Sequence, residues 1–128
     1  MNFQIVNVKY TPYSDECDSK QALYCELTYR RDRSNFAGVV FEFLDDSNEI
    51  VYDDRFCEKN ISNINVYNNI RIGFEEEYID SFIDEYKKMN PLKGIRIHFL
   101  VYTDVGSSQV VFERLAKLLA FVAESHFE

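Results

Sequence analysis

Ser107 to Phe127, SSQVVFERLAKLLAFVAESHF, is the stretch around which the rest of the chain must be arranged. Val110, Val111, Leu115, Leu118, Leu119 and Val122 recur at helical spacing and form one apolar stripe. Phe112, Ala116, Ala120, Phe121 and Ala123 widen that stripe beyond what a surface helix carries. Gly106 and the Ser107-Ser108 pair supply a start, because a serine hydroxyl can accept an orphan N–H of the first turn. Such a helix needs a broad apolar bed, and one face of a β-sheet provides it. Glu113, Arg114 and Lys117 interrupt it too often for a membrane span, which takes roughly 20 consecutive apolar residues.

Working back toward the amino terminus, Lys93 to Thr103 alternates as a strand. Strict alternation puts Ile95, Ile97, Phe99 and Val101 on one face and Arg96, His98, Leu100 and Tyr102 on the other. Before it, Glu75 to Met89 has a period of 3.6, with Tyr78, Ile79, Phe82, Ile83 and Tyr86 as the buried stripe. Glu75, Glu76 and Glu77 open that helix and Lys87 and Lys88 close it, the charge order its dipole favours. Asn90-Pro91 stops it.

The first half of the chain is β-patterned. Strands are expected over Phe3–Tyr10, Gln21–Arg31, Phe36–Leu44, Glu49–Cys57 and Ile64–Phe74. The polar runs at Thr11–Ser19, Asp45–Asn48 and Glu58–Ser62 read as loops and turns. Short connections make an antiparallel meander of these five strands the economical topology. The expected fold is a single α+β domain over residues 1–128. It has a mainly antiparallel sheet of about six strands, two helices packed on one face, and the order βββββαβα.

A chain of 128 residues with 46% hydrophobic content can bury a core without disulfides or a metal. Cys17, Cys25 and Cys57 are odd in number and lack CxxC spacing. The opening Met1-Asn2-Phe3-Gln4 lacks the basic and apolar regions of a signal peptide. The expectation is a cytoplasmic protein with reduced thiols. The net charge of −8 disfavours nucleic acid and suits a basic partner.

Motifs for chemistry are scarce. The Asp15–Asp18 cluster lacks the spacing of a calcium loop, His98 and His126 are far apart, and no GxSxG elbow or glycine-rich phosphate loop occurs. No metal, cofactor or catalytic set is expected. His98, if its face were open, could serve as a general base beside Tyr102 in a pocket between sheet and helices, and a small enzyme or ligand-binding domain is therefore one alternative. A homo-oligomeric subunit is another, since the closing helix is apolar enough to face a twin chain.

The more suggestive pattern is acids interleaved with rings. Asp45, Asp46 and Glu49 lie on one expected hairpin turn, and Tyr52, Asp53 and Asp54 lie on its outgoing strand. Glu75, Glu76 and Glu77 form a second acidic group. Charges speed encounter with a basic surface and rings supply affinity. In length, charge and lack of catalytic motifs, and in the acid–aromatic segments Asp45–Phe56 and Glu75–Tyr86, the chain resembles immunity proteins of bacterial toxin–immunity systems such as contact-dependent growth inhibition. That resemblance implies a non-catalytic inhibitor whose acidic surface blocks the active site of a toxin, such as a nuclease.

Overall fold

The computed structural model describes residues 2–7, 22–29, 35–45, 47–52, 70–104 and 106–125. They form β1 (Asn2–Asn7), β2 (Leu23–Tyr29), β3 (Asn35–Leu44), β4 (Ile50–Tyr52), β5 (Ile70–Gly73), α1 (Glu76–Lys88), β6 (Gly94–Thr103) and α2 (Gln109–Ser125). The class is α+β, the element order is the one the periodicities predict, and the six-stranded sheet is mainly antiparallel.

The strand order differs from a meander. β1, β2 and β3 do run as one, but β6 enters beside β3, and β4 lies on the far side of β6. β4 pairs with β6 in parallel through Ile50↔Ile95 and Tyr52↔Ile97. β5 pairs antiparallel with the other half of the same edge, through Ile70↔Thr103 and Gly73↔Leu100. Burial explains the order. β6 is ten residues long and almost continuously buried, which suits a strand covered on both faces. β4 is three residues long, with Val51 and Tyr52 exposed, which suits an edge.

The turn expected at Asp45–Asn48 therefore does not join paired strands, since β3 and β4 are not neighbours. Residues 47–49 arch across the start of β6. The Gly94 N–H donates to Ser47 O at 2.7 Å and the Ile95 N–H to Glu49 O at 2.9 Å. A Cβ on Gly94 would overlap the backbone of Glu49 and crowd Ser47, so the close approach requires glycine.

Strict alternation along β6 fails at one point. Val40 pairs with Phe99 but Phe41 pairs with Ile97, leaving His98 as an extra residue in a β-bulge. Beyond the bulge the faces exchange. Ile95 and Ile97, then Leu100 and Tyr102, pack toward the helices, while Phe99 and Val101 join Tyr24, Phe36 and Val40 on the opposite face.

Both helices cover one face. Ile79, Phe82 and Tyr86 of α1 and Val111, Phe112, Leu115, Ala116, Leu119 and Ala120 of α2 bury against Cys25, Leu27, Val39, Phe41, Ile95, Ile97 and Leu100. α2 starts as its sequence signals. Ser108 Oγ accepts from the Val111 N–H at 3.3 Å, as an N-cap serine does. Ser107 ties the preceding turn to the sheet, its hydroxyl donating to Phe36 O at 2.7 Å and accepting from the Thr103 N–H at 2.9 Å. Val110 and Phe121, counted on the apolar stripe by spacing, are exposed, because the buried face centres on Phe112, Leu115 and Leu119. The described part of β4 is Ile50–Tyr52 and that of β5 is Ile70–Gly73, and the rest of the strands expected over Glu49–Cys57 and Ile64–Phe74, Glu49 and Phe74 apart, falls on residues that are not described. Residues 53–69 lie outside the described residues.

Gly94→Ala is expected to cost about 2–3 kcal/mol by overpacking the arch against β6. Urea denaturation checks this, and an unchanged midpoint would show that the arch does not sit on the strand.

Candidate functional site

The described acids among those singled out by sequence, Asp45, Glu49 and Glu75–Glu77, fall into two groups at opposite ends of α1. At one end is the arch. Asp45 and Glu49 are exposed there, and Ser47 Oγ accepts from the Glu49 N–H at 3.0 Å, which keeps the arch tight. Asp45 is paired with Lys93, so its charge is largely answered. Asp46, Asp53 and Asp54 lie outside the described residues. A cleft of about 100 Å³ lies between the arch and the end of α1, lined by Asn48, Ile50, Tyr86, Lys87, Asn90 and Pro91. It is smaller than the roughly 300–1,000 Å³ of a typical small-molecule site. The Tyr86 hydroxyl closes this end by donating to Lys93 O at 2.9 Å.

At the other end, about 20 Å along the helix axis, stand Glu75, Glu76 and Glu77. Glu75 is the N-cap residue, in extended conformation and without a side-chain cap, and its carbonyl accepts from the N–H groups of Tyr78 and Ile79. All three are exposed. Asp80 and Asp84 continue the row on the solvent side of α1. Among the described residues, none of Glu76, Glu77, Asp80 and Asp84 forms an ion pair with a lysine or arginine. Glu85 is different: it turns toward α2 and lies 3.5 Å from Lys117 and 3.8 Å from Lys88. The ridge was readable as Glu77, Asp80 and Asp84 at i, i+3 and i+7, opposite Ile79, Phe82 and Tyr86. Counting acids by adjacency along the chain instead of by helix face hides it.

The ridge ends beside aromatic rings. Tyr78 stacks on Phe112 at 4.9 Å and meets Tyr102 edge-on at 5.6 Å. Both phenols ionise less readily than usual. For Tyr78 the causes are burial, then the charges of Glu75, Glu77 and Asp104. For Tyr102 they are burial, then Glu75, partly offset by Arg71, with Tyr78 and Asp104 adding to the rise. Tyr52 is half exposed, and its ring leans on Phe74 at 5.6 Å. Tyr52 thus touches the residue that precedes Glu75 in the chain.

His98 lies where the pocket reading did not put it. Its side chain is 2% exposed and lies on the face opposite the helices, with Nε2 at 3.7 Å from Glu42 Oε2. Glu42 is held by Arg96 Nη1 at 2.8 Å, across the strand pair Glu42↔Arg96. The bulge sends Leu100 and Tyr102 to the other side, so His98 and Tyr102 share no face. Between sheet and helices, Phe41, Phe82 and Phe112 are fully buried in one packed cluster.

Among the described residues, no three His, Cys, Asp or Glu side chains gather as a metal site. Cys25 is buried, and burial followed by the Glu26 charge pushes its thiol pKa well up, so it is a core residue and not a nucleophile. Cys17, Cys57 and His126 lie outside the described residues. Among the described residues no helix is long and apolar enough to cross a membrane. Comparison with known protein families, curated proteins and solved structures finds no match for the chain.

Two outcomes follow from this geometry. Arg96→Met strands the half-buried Glu42 carboxylate and is expected to cost about 2 kcal/mol, with much of it regained in Arg96→Met/Glu42→Gln. A double-mutant cycle in urea measures this, and additive losses would show that the pair is not coupled. Stability also falls in alkali. Unfolded Cys25 and Tyr86 lose protons near their ordinary values of 9.0 and 10.0, while burial raises both pKa values in the fold. Their contribution is complete below about pH 9 and is lost as pH rises toward the folded values. Denaturation midpoints across pH 8–11 check this, and Tyr86→Phe should flatten the fall.

Proposed function

We propose that this chain is a non-catalytic binding protein that neutralises a basic protein partner, as immunity proteins of bacterial toxin–immunity systems do. The partner it fits best is a cytoplasm-acting nuclease toxin, whose phosphate-binding active site is lined with lysine and arginine. One observation carries the reading: the exposed row Glu76, Glu77, Asp80 and Asp84 on α1, without basic partners among the described residues, on a chain of net charge −8.

The spacing of that row has a physical meaning. From Glu76 to Asp84 the helix rises about 12 Å, so four carboxylates give about one charge per 3–4 Å. A nucleic-acid strand carries one per roughly 3.4 Å. A site built to attract phosphates meets a similar line of negative charge, held on a rigid rod. Such a field speeds encounter, and nearby rings supply the contacts that hold the complex. This moves the centre of the proposed surface from the arch to α1. Asp45 and Glu49 remain at its far margin.

A pull-down from native lysate identifies the partner, and surface plasmon resonance then measures it. Binding should weaken steeply between 50 and 300 mM salt. Lysine at Glu76, Glu77, Asp80 and Asp84 together should lower the on-rate about tenfold or more. Reversal of Asp45, Asp46, Asp53 and Asp54 tests the arch separately. If neither set changes on-rate or affinity, the acidic-surface reading is wrong.

A further inference from the structure

The sheet edge beyond β6 is aromatic where β4 ends and α1 begins. Tyr52, from the short edge strand β4, is half exposed and leans on Phe74 with an interplanar angle of 33°. Phe74 and the half-buried Tyr78 and Tyr102 pack against the same core cluster. Gly73 adds no side chain over the Tyr102 hydroxyl, which would otherwise lie 3.6 Å from a Cβ. The result is a run of rings bordered by carboxylates rather than by apolar residues.

The charge beside these rings is negative. Glu75 acts on both tyrosine hydroxyls, and Glu77 and Asp104 act on Tyr78. The same corner already holds one guanidinium. Arg71 Nε lies 2.9 Å from Asp104 Oδ1, and Arg71 is the cross-strand partner of Tyr102. Asp104 is thereby answered, whereas among the described residues Glu75 and Glu77 have no basic partner. A planar cation suits the vacancy in charge better than a point charge does. A guanidinium can lie on an aromatic face and still offer two N–H groups to one carboxylate.

We propose that the edge formed by Tyr52, Phe74, Tyr78 and Tyr102, with Glu75 beside it, seats an arginine side chain of the partner. This rests on the basic-partner reading and adds where the partner anchors and by which residue type. Tyr52 supplies the open ring face, Phe74 holds that ring in place, and Glu75 receives the guanidinium N–H groups. α1 then carries the long-range attraction, and the aromatic edge carries the short-range selection of arginine over lysine.

The test uses hexa-arginine and hexa-lysine peptides as probes of the full chain at low salt, followed by two-dimensional NMR. Hexa-arginine should shift the signals of Tyr52, Phe74, Glu75, Tyr78 and Tyr102 and bind about fivefold tighter than hexa-lysine, a ratio within the range of a cation–π contact. Tyr52→Ala should remove that preference and Tyr52→Phe should retain it. Tyr52 is an exposed edge residue, so the alanine variant keeps the core. If shifts are confined to Glu76, Glu77, Asp80 and Asp84, or the arginine preference survives in Tyr52→Ala, the arginine seat is overturned while the basic-partner reading stands. If neither peptide binds at low salt, both fall.

Discussion

β6 can satisfy its backbone N–H and C=O groups on both edges only if strands flank it on both sides. β3 supplies one side along most of its length. The other side is shared, with β4 on residues 95–97 and β5 on residues 100–103. To reach that far side after β3, the chain must cross the start of β6, and the arch at Ser47–Glu49 does so by hydrogen bonding to Gly94 and Ile95. A side chain at Gly94 would push the arch away and with it β4, Tyr52 and the aromatic edge. The proposed docking surface is therefore downstream of one close backbone contact, in which Glu49 takes part through its carbonyl.

The bulge at His98 is the second constraint. A ten-residue strand in strict alternation would put Phe99 and Val101 under the helices and Leu100 and Tyr102 on the far face. The extra residue exchanges them. Phe99 and Val101 then complete the second core with Phe36 and Val40, and Tyr102 arrives beside Tyr78. Glu42, Arg96 and His98 share the far face at the bulge. Glu42 lies opposite Arg96 in the pairing register and faces the extra residue from β3. The tyrosine pair at the proposed docking edge exists because the bulge turns Tyr102 to the helix face.

Periodicity made the elements legible because it is local. Alternation over Phe36–Leu44 and the 3.6 repeat over Tyr78–Tyr86 each belong to one segment, and both were read with nearly correct limits. Strand order is a property of distant pairs. Nothing within Glu49–Tyr52 says whether β3 or β6 will be its neighbour, and the short turn before it favoured the wrong one. The signal that could have decided it was relative apolarity: β6 carries a run of apolar residues at Phe99–Val101 that needs cover on both faces, whereas Asp53 and Asp54 follow β4 directly. The bulge left no mark in sequence, since IRIHFLV alternates as well with it as without it. The contact of Tyr52 with Phe74 is not visible along the chain, because neighbours in sequence are not the neighbours in space.

Placement of the acids follows from what each end of α1 tolerates. Carboxylates in a first helical turn are favoured by the dipole, by about 0.3–1 kcal/mol each at exposed positions. Glu76 and Glu77 occupy such positions and need no lysine to remain there. Asp45, outside any helix, is met by Lys93. The last turn carries Lys87 and Lys88, again as the dipole favours, and Lys88 draws on Glu85 instead of the ridge. Among the described residues, Glu76 and Glu77 are thus unpaired acids at a terminus where the backbone itself offsets their self-repulsion. An acidic surface arranged this way is already ordered before a partner arrives, and docking need not first break ion pairs to expose it. The arch, whose acid is already engaged, lacks that advantage, which is why the weight of the functional reading rests on α1.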